Sequence, residues 1–138
     1  MNPDPIVLAA AAARDRAFAP YSRFRVGAAL ECDDGTVITG CNVESASYGL
    51  TICAERLAVF TAVGRGYRRF RRLAVVTDTP APTPPCGACR QVLWEFAPDA
   101  EVLLANLAGA VIHSTVRELL PLGFDAQRLA VVEHGDHD

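Results

Sequence analysis

Apolar and polar residues follow two different periods along the chain, and together they predict alternating strands and helices. An alanine-rich segment, residues 5–18, predicts a first helix. Two strands at 24–32 and 36–41 are predicted to pair across the turn Asp33-Asp34-Gly35. Later short apolar runs predict strands at 73–77, 101–105 and 111–113 and a short helix at 115–120. An early hairpin followed by strands that alternate with helices predicts an α/β fold, three-layer α/β/α, with a mixed, mostly five-stranded sheet.

Two further helices are predicted to begin at cysteines. From Cys53 onwards, apolar residues recur with a helical period as far as Gly64 or Gly66, which places Cys53 in the first turn of a largely buried helix. A second helix begins at Cys86, so that Cys86 and Cys89 lie one turn apart. Both helix N-termini then point at one place, where their positive ends favour thiolates over thiols.

These three cysteines predict a catalytic zinc site. A structural zinc ion is closed by four protein ligands, whereas a catalytic one takes three and leaves the fourth position to water. No fourth ligand stands at an obvious spacing, since His134 and His137 belong to a polar tail. The remaining candidates, which we interpret as non-ligands, are His113, Cys32 and Cys41.

Glu55, two residues after the first cysteine, is predicted to move protons between water and a substrate. Arg56 is predicted to offset the negative charge of the sulfurs, in preference to Arg90, because it adjoins Cys53 and Glu55. Taken singly, a Cys-x-x-C pair could be a redox dithiol or half of a structural zinc knuckle, and Glu55 a solvated helix residue. The combination matches the zinc deaminase pattern in its three-cysteine variant, with proline directly before Cys-x-x-C.

Three long stretches of the chain resemble the cytidine deaminases, specifically the small homotetrameric type with three cysteine ligands. They are residues 19–29, 40–56 and 85–91. The resemblance implies one zinc ion per subunit and hydrolytic deamination of cytidine and 2′-deoxycytidine to uridine and 2′-deoxyuridine in pyrimidine salvage. In that family a zinc-activated water attacks C4 of the base, and the glutamate, here Glu55, protonates N3 and then the leaving amine.

The resemblance also implies contacts with the nucleoside. Phe24 lies against the base, Ala54 offers its backbone N–H to the base carbonyl, and Asn42 and Glu44 bind the ribose, chiefly its 3′-hydroxyl. A flat pyrimidine needs an apolar wall, and an amide with a carboxylate suits a sugar hydroxyl. Without the resemblance, Phe24 could equally be strand core, and Asn42 and Glu44 solvated loop residues.

Tyr48 and Phe124 match residues that the family supplies to a neighbouring subunit's pocket, which implies a homotetramer with shared active sites. A single aromatic such as Phe124 can otherwise simply fill a core. Two positions depart from the family pattern: Pro84 stands where serine or threonine is frequent, and Ser45 where asparagine is usual. Neither departure alters the predicted chemistry.

Length, composition and charge limit the domain number, the cellular compartment and the class of substrate. The 138 residues fit a single domain, residues 1–138, and no apolar run is long enough to span a bilayer. Five cysteines and the lack of a leader predict a reducing cytoplasm. The net charge of −3 and one short basic cluster, residues 65–72, disfavour a polymeric nucleic acid as substrate, which would need a basic groove.

Two rival hypotheses remain at this point. One is a related deaminase that acts on a nucleoside analogue such as blasticidin S, although Phe24, Asn42 and Glu44 together favour the ordinary nucleoside. The other is a zinc-stabilised interaction module without catalysis. That module requires a fourth protein ligand and has no use for Glu55.

Overall fold

A computed structural model gives the structure of residues 3–130, in which helices cover both faces of one five-stranded sheet. In chain order its elements are α1 (Pro5–Arg14), β1 (Val26–Cys32), β2 (Val37–Cys41), a 3₁₀ turn (Tyr48–Leu50), α2 (Ala54–Gly64), β3 (Phe70–Thr77), α3 (Gly87–Phe96), β4 (Glu101–Asn106), β5 (Val111–Thr115), α4 (Val116–Leu119) and α5 (Ala126–Ala130). His134 and His137 lie outside the described residues.

The strand order β2-β1-β3-β4-β5 brings the starts of two helices to one edge of the sheet. Strand β1 is antiparallel to both β2 and β3, β3 is parallel to β4, and β5 is antiparallel to β4. Strands β2, β3 and β4 therefore run in the same direction, with α2 and α3 as the crossovers between them. Both crossover helices begin at the carboxyl ends of strands, the edge where open α/β sheets bind ligands.

Alternating side chains divide the core into two apolar layers. Ala29 and Ala74 face α1, where they pack with Ile6 and Ala10. The opposite face of the sheet packs against α2 and α3, through residues that include Leu30, Leu73, Val75, Val102, Ala58 and Leu93. The predicted three-layer α/β/α fold with a mixed five-stranded sheet is confirmed. Within the described residues, no helix has the length and apolar character needed to cross a membrane.

Gly40 allows α2 to lie directly on β2. A Cβ at this position would stand 2.5 Å from the carbonyl oxygen of Ala54 and 2.7 Å from the backbone nitrogen of Ala58. Glycine is therefore the residue that permits this close approach of strand and helix. The first turn of α2 is thus placed by backbone contact rather than by flexible side chains.

The first helix is shorter than its alanine-rich sequence predicts. It ends at Arg14 instead of continuing to Phe18. The backbone of Phe18 forms a parallel bridge with Val43, donating its N–H to Asn42 and accepting the N–H of Glu44. This long-range pairing outweighs the local helix propensity of the segment.

Candidate active site

The three cysteines converge where α2 and α3 begin. Cys53 and Cys86 occupy the N-cap positions of these helices, so Cys53 lies one residue outside the helix rather than in its first turn. The Sγ atoms are 3.8 Å apart for Cys53 and Cys86 and 3.4 Å apart for Cys86 and Cys89, and all three lie within 4.8 Å of one another. Tetrahedral Zn–S bonds of about 2.3 Å place sulfurs about 3.8 Å apart, so the cluster fits zinc.

In the part of the chain that the structure describes, the group of side chains that could hold a metal ion consists of three residues, Cys53, Cys86 and Cys89. His113 lies on β5 opposite Leu103, whose side chain belongs to the α1 face of the sheet, away from the cysteines. Three protein ligands leave the fourth tetrahedral position open.

Arg56 supplies positive charge to this sulfur cluster. Its Nη2 donates to Cys53 Sγ at 3.3 Å. The neighbouring Cys89 thiol and the Arg56 guanidinium lower the pKa of Cys53, whereas the proximity of Cys53 and burial raise the pKa of Cys89. Arg90 instead donates to the carbonyl oxygens of Pro85 and Leu119, at 2.8 and 2.9 Å. Of the two arginines, Arg56 contacts a ligand sulfur.

Glu55 is a buried carboxylic acid in the first turn of α2, with only 5% of its surface exposed. Burial raises the pKa of its side chain to about 7, and the negative charge of Cys53 adds to the rise. Arg56 donates to the sulfur of Cys53, and Glu55 takes part in none of the ion pairs formed among residues 3–130. A carboxyl group in such a place can both take up and release protons near neutral pH.

A cavity of about 240 Å³ opens onto this chemistry. Phe24, Val26 and Ile52 form much of its apolar wall, and Glu55 and Cys53 border it as well. The other lining residues are Asn42, Thr51, Ala54, Val75, Thr77, Thr83, Pro84 and Cys86. Phe24, Asn42, Ala54, Glu55 and two of the three sulfur ligands are therefore brought together in one small cavity.

Asn42 and Glu44 occupy adjoining places rather than one surface. Asn42 is buried, donates from Nδ2 to the carbonyl oxygen of Phe24 at 2.7 Å and accepts the N–H of Val26 at 2.8 Å. Glu44 borders a neighbouring depression of about 350 Å³. Thr51 lines both spaces and so marks the boundary between them.

Within residues 3–130, neither Tyr48 nor Phe124 lines the cavity beside Glu55 in its own chain, but Tyr48 borders the neighbouring depression that also contains Glu44. The Tyr48 side chain is 75% exposed and packs edge-on against Tyr21, with ring centres 6.1 Å apart. Phe124 is 55% exposed, and its carbonyl oxygen accepts a hydrogen bond from Gln91 at 2.7 Å. Both aromatic rings are thus available at the surface of a single chain.

Sequence analysis missed three threonines of the cavity wall, Thr51, Thr77 and Thr83. Thr77 is buried at the end of β3, and its hydroxyl lies 2.8 Å from that of Thr79 and 3.4 Å from that of Thr83. Thr77 follows an otherwise apolar strand at its carboxyl end, a pattern that indicates a polar group at the ligand edge of the sheet. Thr83 lies in a proline-rich loop and gives no comparable signal.

Such an open three-ligand site beside a buried acid is typical of hydrolytic zinc enzymes, because the free coordination position admits water. Comparison with known proteins narrows this class. The profile of the "Cytidine and deoxycytidylate deaminase zinc-binding region" matches residues 4–105. The chain therefore belongs to the cytidine and deoxycytidylate deaminase family, whose members bind zinc.

Individual relatives agree with this family. A cytidine deaminase of Halalkalibacterium halodurans is 53% identical over 128 residues, which are 92% of this chain and 97% of the relative. The crystal structure of cytidine deaminase from Burkholderia pseudomallei superposes with a TM-score of 0.86 at 52% identity, covering 90% of this chain and 100% of that one. A blasticidin-S deaminase of Bacillus cereus is more distant, with 30% identity over 111 residues, 75% of this chain and 79% of the relative.

Proposed function

We propose that this protein is a zinc-dependent cytidine deaminase that converts cytidine and 2′-deoxycytidine to uridine and 2′-deoxyuridine and releases ammonia. The observation that carries this proposal is the buried Glu55 beside three converging thiols, at a small cavity with an aromatic wall. The higher identity to cytidine deaminases than to the blasticidin-S deaminase supports the ordinary nucleoside as substrate.

Cys53, Cys86 and Cys89 are the residues that would hold the zinc ion, one per subunit. When bound, zinc supplies a Lewis acid that makes water nucleophilic near neutral pH. Three thiolates carry one more negative charge than the ion neutralises, and Arg56 offsets this excess through its contact with Cys53 Sγ. The starts of α2 and α3 add positive dipole ends at the same place.

Glu55 performs the proton transfers. Hydrolysis at C4 of cytosine adds the oxygen of water to C4 and breaks the bond to the amino nitrogen. Of the two protons of that water, Glu55 delivers one to N3 and the other to the departing amino group, so that ammonia leaves and Glu55 is regenerated. Burial of Glu55 supports this role, because desolvation raises the pKa of its carboxyl group toward neutral pH, where the group can both take up and release a proton.

The cavity favours a single-ring base. Its volume of about 240 Å³ lies below the roughly 300–1,000 Å³ of pockets for drug-sized ligands. Phe24 provides the flat apolar wall against the ring. Ala54 is the first residue of α2, where a backbone N–H has no acceptor within the helix and can donate to the base carbonyl.

The ribose belongs in the depression beside the base cavity. Glu44 borders that depression and Asn42 borders the cavity, with Thr51 common to both, so a nucleoside can place its sugar between the amide and the carboxylate. The net charge of −3 is compatible with a nucleoside, which has no phosphate to neutralise.

The proposal also covers the oligomeric state of the protein and its cellular compartment. We infer a homotetramer in which exposed Tyr48 and Phe124 of one subunit complete the pocket of another. The five cysteines are free thiols in the structure, which supports a cytoplasmic enzyme of pyrimidine salvage.

Ultraviolet assays on cytidine, 2′-deoxycytidine, cytosine and blasticidin S test the substrate. We expect turnover of both nucleosides. Deamination of blasticidin S without any deamination of cytidine would contradict the proposal.

Glu55→Ala tests the mechanism. It is expected to keep zinc and fold and to lose nearly all turnover, because both proton transfers depend on this carboxyl. Elemental zinc analysis and circular dichroism, measured with the rate, separate loss of chemistry from loss of metal. Full activity in a zinc-replete Glu55→Ala protein would rule the proposed mechanism out.

A further inference from the structure

Ser22 connects two groups that have different tasks in the proposed nucleoside site. The Ser22 hydroxyl donates to Oε2 of Glu44, and Ser22 Oγ in turn accepts the backbone N–H of Phe24 at 3.0 Å. Oε1 of Glu44 accepts two more donors, the backbone N–H groups of Tyr21 at 2.9 Å and of Ser22 at 3.1 Å. One short segment therefore holds the carboxylate and also carries the aromatic wall of the base cavity.

These donors restrict where Glu44 can accept a further hydrogen bond. An ionised carboxylate offers about four lone-pair sites, of which the two on Oε1 and one on Oε2 are taken by Tyr21 and Ser22. The remaining site lies on Oε2, next to the Ser22 hydroxyl. The Ser22 hydroxyl and the two backbone N–H groups also lower the pKa of Glu44, so the group stays ionised and acts as an acceptor.

The position of Glu44 places this acceptor beside the base cavity. The depression that contains Ser22 and Glu44 adjoins the cavity at Thr51. Asn42 binds the same segment from the other side, through the carbonyl oxygen of Phe24 and the N–H of Val26. Phe24 is thus fixed by Ser22 at its N–H and by Asn42 at its C=O.

We propose that Ser22 is a positioning residue for sugar recognition: its hydroxyl orients Oε2 of Glu44 toward a ribose hydroxyl and couples that orientation to the placement of Phe24 against the base. The inference rests on the proposed function. Ser22 acts through Glu44 and Phe24 and is not itself required to touch the substrate.

Kinetics with two substrates test the role in sugar recognition. For Ser22→Ala we expect the KM for cytidine to rise about tenfold, with kcat within about twofold of wild type. The rise in KM should be several times smaller for 3′-deoxycytidine, which lacks the hydroxyl that would donate a hydrogen bond to Glu44. Ser22→Thr keeps a hydroxyl and should restore the KM. Ser114→Ala removes a serine hydroxyl on β5 that lines neither the cavity nor the depression, and should leave the KM for both substrates unchanged.

A titration that needs no activity tests the contact itself. Carbon-13 NMR of the Glu44 carboxyl should show a higher pKa in Ser22→Ala than in wild type, and a return toward wild type in Ser22→Thr. Equal KM penalties for the two substrates, or an unchanged Glu44 pKa in a folded Ser22→Ala protein, would overturn the inference. A wild-type protein inactive on cytidine would overturn the proposed function and the sugar role with it, while the titration would still decide whether Ser22 orients Glu44.

Discussion

Gly40→Ala tests whether the contact between β2 and α2 sets the position of the metal ligands. The new methyl group would lie 2.5 Å from the carbonyl oxygen of Ala54 and 2.7 Å from the backbone nitrogen of Ala58, whereas ordinary contact for a Cβ begins at 3.4 Å. The helix backbone must therefore move away by about 0.9 Å at Ala54, the difference between 3.4 and 2.5 Å. Both contacted atoms belong to the backbone, so no side-chain rotation relieves the clash.

That displacement is large on the scale of metal coordination. Ala54 stands between Cys53, a proposed zinc ligand, and Glu55, the proposed proton shuttle. Ligand distances in metal sites tolerate changes of about 0.2 Å. We therefore expect zinc affinity to fall about 10- to 100-fold, and the free energy of unfolding to fall by about 1–3 kcal/mol through overpacking.

Competition with a chromophoric chelator measures the zinc affinity, and denaturant unfolding with and without zinc measures the stability. Gly64→Ala is a matched control in the same helix, because nothing lies within 4 Å of its new Cβ. Ile6→Ala is a second control, since it removes core packing in the α1 layer at a cost of about 2–5 kcal/mol and leaves α2 in place. Wild-type zinc affinity in folded Gly40→Ala protein would refute the argument.

Three further predictions follow from contacts and exposed side chains. Arg56→Ala should lower zinc retention against a chelator, because Cys53 Sγ loses its donor at 3.3 Å; unchanged zinc content would remove Arg56 from the mechanism. A hydrogen bond from Arg72 holds the pKa of Asp4 below its ordinary value, so their contribution to stability is present above the unfolded pKa and lost as pH falls through the folded one. In Asp4→Asn, which keeps a helix-capping side chain, the free energy of unfolding should accordingly fall less steeply as the pH is lowered. Light scattering combined with activity tests the shared pocket, and a fully active monomer would contradict the role of Tyr48.

Local sequence patterns predicted most of the helices and strands of the fold. The hairpin of β1 and β2 follows from alternating residues around a turn signal, and the crossover helices from long apolar periods that begin at Cys53 and Cys86. The 3₁₀ turn at Tyr48–Leu50 and the short α5 were not predicted, since each is too short to carry a period. The early end of α1 could not be predicted either, because the pairing of Phe18 with Val43 joins segments far apart in sequence.

The metal site was the most predictable part of the candidate active site. Three cysteines and a glutamate at these spacings predict a zinc site with a neighbouring acid. The structure brings Cys53, Cys86 and Cys89 together, as the sequence predicts. The environment of the predicted substrate-binding residues was harder to predict, because hydrogen bonds from side chains to backbone groups produce no recognisable sequence pattern. Asn42 and Glu44 are proposed to contact a sugar, yet in the structure both also bind the backbone of the segment that carries Phe24.

One short segment, the end of β2 and the residues directly after it, connects all parts of the proposed site. Gly40 lies in β2, and Asn42 and Glu44 follow the strand, where they border two adjoining spaces. Gly40 allows the start of α2 to lie against β2, and the start of α2 positions Cys53, a proposed metal ligand. Asn42 fixes the backbone around Phe24, and Glu44 binds the donors that precede it. A displacement of this one short segment would therefore disturb metal, base and sugar positions together, and substitutions at Gly40 and Asn42 should show coupled rather than additive effects on kcat/KM.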